Sequence, residues 1–291
     1  MSDSSNPRSI VPVKSVDPAT CDVLRRVDQI AAVIGFRYFV AGAMARDLVL
    51  ANAFGLPAGR ATRDIDFGVA VENWNQFQRL KASLIETKRF NAAPKDAHRL
   101  YWKAPDSEVA IPIDLIPFGG VTSENKMIAW PPDLDFVMNV AGFDEALDCA
   151  MHLRIEDDLV IPVASVPGLT VLKLIAWQDR RNENNKDAAD LLRLLTYYAD
   201  AGNLDRLYEH ELALLEAVEF DLELAGAQLL GNDVVRICQT ETRRQISALL
   251  TSGRLLDQLI IQMNRIELTN GPQEERIAGL LRRFCQGFLS G

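Results

Sequence analysis

Thr62-Arg63-Asp64-Ile65-Asp66-Phe67 runs directly into the apolar stretch Gly68-Val69-Ala70-Val71. Asp64 and Asp66 alternate with Ile65 and Phe67, which is the period of a β-strand, so the two carboxylates share one face. From the rise of a strand, their Cβ atoms stand roughly 6–7 Å apart. Two anions held that close stay ionised only when a cation lies between them. A divalent ion with oxygen ligands meets that need, and Mg²⁺ commonly uses one or two carboxylates together with substrate phosphates. Taken alone, such a pair more often marks a solvated strand end. The neighbouring sequence changes the balance.

Upstream, Tyr38-Phe39-Val40 reads as a short buried strand that enters Ala41-Gly42-Ala43. A helix follows at once, with Ala45, Leu48, Val49 and Leu50 along one side. Strand, glycine turn and helix in that order bring backbone N–H groups to one point, which suits phosphate oxygens, although most such turns only connect elements. Downstream, Val109-Ala110-Ile111-Pro112-Ile113-Asp114-Leu115-Ile116 is a strand with one acid in an apolar run. An edge-strand acid facing water is the plain reading. After the Asp64–Asp66 pair, a third metal-facing carboxylate is the better one, because an unpartnered buried acid is costly. Between these strands, Trp74 to Thr87 has the spacing of a helix and His98 to Trp102 alternates like a strand.

Working outward, Cys21 to Ile34 has apolar residues at helical spacing, and Gly35 closes that helix in C-cap fashion. Residues 1–19, rich in Ser, Asp and Pro, are expected to be a flexible tail. Thr122 to Val163 reads as strands and turns, with Trp130-Pro131-Pro132-Asp133 a loop. From Pro167 the pattern is helical throughout, in segments such as Leu169–Arg180, Lys186–Tyr198 and Leu204–Glu216. The expected organisation is an α/β (α+β) domain with a mixed sheet over 20–165, followed by a helical domain over 166–291. A length of 291 residues suits two packed units. The apolar content of 48% and charged content of 24% are ordinary for a soluble globular protein. No apolar run is long enough to cross a membrane, and the first 15 residues lack the core of a signal peptide. Cys21, Cys149, Cys238 and Cys285 are scattered and read as reduced cytoplasmic thiols, and three dispersed histidines speak against a structural zinc site. A net charge of −9 disfavours a general nucleic-acid coat but leaves room for a local basic patch.

At these residues the chain resembles the nucleotidyltransferase superfold related to polymerase β. That superfamily carries a small-residue glycine turn, then alternating acids, then a third acid on a later strand. Here these are Val40-Ala41-Gly42-Ala43, Asp64-Ile65-Asp66-Phe67 and Asp114. More closely, the chain is similar to the AbiEii-type nucleotidyltransferases, toxins of type IV toxin–antitoxin systems. Ala45-Arg46-Asp47, Ile113-Asp114-Leu115-Ile116-Pro117-Phe118-Gly119, the helical Lys173 and Lys186-Asp187-Ala188-Ala189-Asp190-Leu191 all look like that family's elements. The resemblance covers roughly residues 30–195. It departs in two places: Ala43 stands where relatives often carry Ser, and the spacing from Gly42 to Asp64 is longer than usual.

The resemblance implies transfer of a nucleoside monophosphate from an NTP to a hydroxyl. Asp64, Asp66 and Asp114 would hold two Mg²⁺ ions, and Gly42, Ala43 and Arg46 would meet phosphate. Arg46 has Asp47 and Asp64 as alternative partners. Lys173 is expected to reach the triphosphate, or else to snorkel from an apolar helix, and its removal is expected to spare stability. Asp187 and Asp190 share a helical face and either position Lys186 and Arg180 or are solvated. The acceptor implied is RNA, such as the 3′ end of tRNA, with a cognate antitoxin as partner. Two other readings stand: modification of an aminoglycoside-like small molecule, which the acidic charge suits, and a nucleotide-binding regulator without turnover, which Ala43 suits.

Overall fold

The computed structural model describes residues 9–60, 62–94, 96–104, 109–132, 134–267 and 274–291. They fall into two compact units, Met1–Ser165 and Val166–Gly291. The first holds a seven-stranded mixed sheet in the order β3-β4-β5-β2-β1-β9-β8. Its strands are β1 (Arg37–Ala41), β2 (Ile65–Val71), β3 (Phe90–Ala92), β4 (Arg99–Lys103), β5 (Ala110–Gly119), β8 (Met151–Glu156) and β9 (Leu159–Val163). Strands β6 (Met127–Ala129) and β7 (Val137–Asn139) form a separate antiparallel hairpin. Helices α1 (Pro18–Ile34), α2 (Gly42–Asp47), α3 (Trp74–Glu86) and α4 (Phe143–Asp148) complete this unit.

Register explains the two faces of the sheet. β2 runs antiparallel to β1 and parallel to β5, pairing Phe39 with Gly68 and Gly68 with Ile116. Ile65, Phe67, Val69, Ile113 and Leu115 therefore point together to one side, where all are fully buried. Tyr38, on that side, donates its hydroxyl to Asp28 of α1 at 2.9 Å. On the other side Phe39, Phe118 and Phe143 meet with ring centroids 5.6–6.0 Å apart. Each such ring contributes about 1.5–3 kcal/mol on burial. That trio closes one end of the face. The other end carries the acids.

Several local features differ from the sequence reading. The tail expected over 1–19 does not run that far: residues 1–8 lie outside the described residues, but Ile10 bridges Leu153 of edge strand β8, and α1 already begins at Pro18. An edge strand offers unpaired backbone groups, and Ile10 takes two of them, with His152 O at 2.8 Å and Arg154 N at 2.9 Å. After α2 the chain continues as a π-helical turn, Leu48–Ala53, which buries every residue but Asn52. The region read only as strands and turns also contains α4, anchored by Phe143 and favoured by Asp144 and Glu145 in its first turn. Asp133 of the expected loop lies outside the described residues.

The second unit is helical: α5 (Val166–Arg180), α6 (Lys186–Tyr197), α7 (Leu204–Glu209), α8 (Leu212–Glu216), α9 (Leu222–Ile237), α10 (Thr240–Leu250), α11 (Gly253–Glu267) and α12 (Glu274–Ser290). The stretch 204–216, read as one helix, is two, divided at His210 and Glu211. Helices α9 and α12 touch backbone to backbone, because a Cβ on Gly231 would stand 2.2 Å from Phe284 O and one on Gly287 2.1 Å from Gln228 O.

Candidate active site

The site is assembled by strand register. Across β4, β5, β2 and β1, Arg99 lies opposite Asp114, Asp114 opposite Asp66, and Asp66 opposite Ala41. Residues in register share a face, so a cation, two carboxylates and the entrance to the glycine turn form one row across the sheet. Asp64 lies directly ahead of β2, two residues from Asp66 and so of the same parity. The glycine turn and the acids do converge despite their long separation in sequence; the extra residues are absorbed by the π-helical turn and the loop that follows it.

Gly42 is the tightest point. Its φ is +66°, the left-handed region, and a Cβ there would lie 1.7 Å from Asp66 Oδ2. Only glycine leaves space for that carboxylate. Ala43 is buried and brings no hydroxyl. Arg46, 1% exposed, turns to Asp47 rather than to Asp64: Nε and an Nη both donate to Asp47 Oδ1, at 2.9 and 2.7 Å. It also donates to Arg60 O at 3.1 Å, and Gly59 packs flat on the guanidinium, where a Cβ would be 2.5 Å from Cζ. Arg46 thus ties the turn to the loop that leads into Asp64.

Asp64 accepts a short hydrogen bond from the Thr62 hydroxyl. Partial burial pushes its carboxyl upward, but that bond, a backbone amide and the charges of Arg60 and Arg99 outweigh it, so the pKa falls below the ordinary carboxylate value. Asp114, buried, is gripped by Arg99 in fork geometry, Nε to Oδ1 at 2.7 Å and an Nη to Oδ2 at 2.6 Å. His98 Nε2 lies 3.9 Å from Asp114 Oδ1. Burial lowers the His98 pKa, Arg99 adds to the effect and Asp114 opposes it, so the imidazole is neutral near pH 7. Arg99 and His98 were missed as site residues by the sequence reading. The strand over 98–102 was legible, but its register against β5 was not.

In the helical unit, Lys173 is 8% exposed and bound to two carboxylates, Asp187 Oδ1 at 3.1 Å and Asp190 Oδ2 at 2.7 Å. Burial would depress its pKa, but Asp190 and Asp187 more than reverse this and raise it. Arg180 also holds Asp187, at 2.8 Å. Asp187 and Asp190 are therefore buried partners of Lys173 and Arg180, not a solvated face, and Lys173 does not snorkel.

The sequence profile described as "Nucleotidyl transferase AbiEii toxin, Type IV TA system" matches residues 38–288. The chain belongs to the AbiEii nucleotidyltransferase family. It is accordingly a nucleotidyltransferase, with a mixed α/β catalytic fold. None of the curated proteins compared with it matches significantly. Among solved structures, an antigenic nucleotidyltransferase-like protein from Paracoccidioides brasiliensis is similar at 14% identity and TM-score 0.43, over 72% of this chain and 94% of that one. The antibiotic-resistance factor ANT(2'')-Ia is similar at 13% identity and TM-score 0.36, over 70% and 98%. A CCA-adding enzyme in complex with ATP is similar at 12% identity and TM-score 0.27, over 94% and 82%. These overlaps are partial, and membership rests on the sequence match. Among the described residues no helix is long and apolar enough to cross a membrane.

A divalent ion is what such a family implies here. Three carboxylates are hard oxygen donors of the right kind for Mg²⁺, and Asp66 and Asp114 are register neighbours. Among the described residues, however, no three acids, histidines or cysteines stand close enough together to hold an ion. Asp114 faces Arg99 instead. For an ion to sit here, Asp114 would have to exchange the Arg99 guanidinium for it.

Proposed function

We propose that this chain moves a nucleoside monophosphate from an NTP to a hydroxyl of RNA in a metal-dependent reaction, with a toxin-like outcome that a cognate antitoxin would restrain. The observation that supports this most is the register row Arg99–Asp114–Asp66–Ala41 with Gly42 folded under the Asp66 carboxylate. The row holds two carboxylates in register, and the glycine turn lies directly against one of them. Asp64, Asp66 and Asp114 would hold the ions, which when bound neutralise triphosphate charge and ease ionisation of the attacking hydroxyl. Gly42 and Ala43 would offer backbone amides to phosphate, since neither carries a polar side chain. Arg46 orders the turn through Asp47 and the loop carbonyl of Arg60. Lys173 would contact phosphate only by leaving Asp187 and Asp190. We read this ion cluster as the organiser of α5 against α6.

The test is incubation of the protein with each NTP, labelled at the α-phosphate, in the presence of total RNA, aminoglycosides and the protein itself, with and without Mg²⁺. Label should enter RNA, require Mg²⁺ and vanish in Asp66→Asn. Label on an aminoglycoside would move the acceptor to the small-molecule class. No label on any acceptor would leave a nucleotide-binding regulator.

A further inference from the structure

The β6–β7 hairpin ends in a turn closed by Trp130 N–H to Phe136 O at 3.0 Å and Leu134 N–H to Trp130 O at 2.9 Å. Trp130, at the start of that turn, packs into an aromatic bed. The Trp130 ring lies 5.4 Å from Trp74, 5.5 Å from Phe77 and 5.5 Å from His98. Trp130 is 4% exposed, whereas Phe136 across the turn is 52% exposed. The Phe136 ring lies nearly parallel to the His98 imidazole, with centroids 5.9 Å apart and planes at 17°. Leu134 and Val137 beside it are also exposed. An apolar patch of this kind, backed by a packed cluster and beside polar groups, marks a surface built to meet something. Trp130 Nε1 and His98 Nδ1 are shielded and have no hydrogen-bond partner among the described residues.

The position says what it meets. His98 joins the Phe136 ring to Asp114, at 3.9 Å from the carboxylate oxygen, so the platform borders the acid expected beside the attacking hydroxyl. Two cations, Lys81 and Arg99, act on His98 together with two acids, Asp114 and Asp96. Although the chain is acidic overall, Arg60 to Lys103 holds nine Lys and Arg against five Asp and Glu. One of these, Lys81, sits over the Phe77 ring at 6.0 Å and donates to Ala97 O. A basic stretch with an exposed aromatic ring is the combination that holds single-stranded nucleic acid, because every base has a π-face and every linkage an anion. A cationic sugar would gain from the acids but has no planar ring to stack.

We propose that Phe136, stacked on His98 beside Asp114, is the platform for the unpaired base at the 3′ end of an RNA acceptor, an inference that rests on the nucleotidyl-transfer reading above. Holding that base would convert a flexible strand end into one with its ribose hydroxyl near Asp114.

The test is a titration of the full chain into a short single-stranded RNA with a free 3′ hydroxyl and a 5′ fluorescein, followed by anisotropy without NTP. Phe136→Ala should weaken binding about tenfold or more, the range of one lost base stack, and Phe136→Trp should restore it. In turnover, Phe136→Ala should raise KM for the RNA by a similar factor and leave KM for the NTP unchanged, with melting curves that coincide. Equal RNA affinity of parent and Phe136→Ala overturns the platform, as does a parent that binds no RNA. A parent that binds RNA through Phe136 but transfers no nucleotide would keep the platform and end the catalytic reading. Transfer to RNA that is indifferent to Phe136 would do the reverse.

Discussion

Gly42 carries two constraints at one atom. Its left-handed φ costs a substituted residue about 1–2 kcal/mol, and a Cβ would occupy the place of the Asp66 carboxylate. Gly42→Ala should therefore lose about 1–3 kcal/mol in a urea melt and, because Asp66 must move, lose most transfer activity. A variant with parental stability and rate would show that the turn relaxes without cost. His98 makes a prediction about pH. Its folded pKa is lowered by burial and by Arg99 against the pull of Asp114, with Asp96 and Lys81 as further charged neighbours. A depressed folded value means the unfolded chain binds the proton first. The contribution of His98 is therefore fully present above the unfolded value, about 6.5, and is lost as pH falls through the folded one. The melting temperature of the parent should drop between about pH 7 and 5 more steeply than that of His98→Asn. Parallel curves would place the titration elsewhere.

Helices α5 and α6 are joined by charge as well as by apolar contact. Lys173, expected from the sequence to reach the triphosphate or else to snorkel, and in either case to spare stability when lost, sits instead between Asp187 and Asp190 inside the helical unit. Removing one partner of a buried ion cluster leaves the others uncompensated, which costs about 3–5 kcal/mol. Arg180 still faces Asp187, so Lys173→Ala should fall near the lower end, about 3 kcal/mol, in a denaturant melt. The same variant assayed for NTP use at low temperature, where it remains folded, separates two roles. A rate near the parent's would make Lys173 a structural cation. A loss on the order of 10²-fold would restore the phosphate contact expected from the sequence.

The uneven distribution of charge over the chain bears on metal binding. The molecule carries −9 overall, yet the segment Arg60 to Lys103 is basic in composition, and Arg99 already supplies a cation to Asp114. Binding of Mg²⁺ to the folded form alone would add about 2.7 kcal/mol of stability at 100 times its Kd. The melting temperature should rise with MgCl₂ by a corresponding amount, and the Asp64→Asn, Asp66→Asn double variant should lose the response. An undiminished shift in that variant would locate the ion elsewhere.

Composition, period and turn residues determined which segments are strands and which are helices, since those are local consequences of side-chain spacing and backbone sterics. The alternation around Asp64 and Asp66, the apolar run holding Asp114 and the helical periods after Pro167 were all legible in this way. So was the grouping of Gly42 with the acids, although only through resemblance, because twenty-one intervening residues separate Gly42 from Asp64. What the sequence could not reveal is register. A shift of one residue in β4 would turn Arg99 to the opposite face, so its fork onto Asp114 is settled only by pairing across the folded sheet. The partners of Lys173 were hidden, and the choice of Arg46 between Asp47 and Asp64 was left open, for a related reason. A helical lysine between leucines looks the same whether it ends in water or between two carboxylates, and long-range packing alone makes that choice.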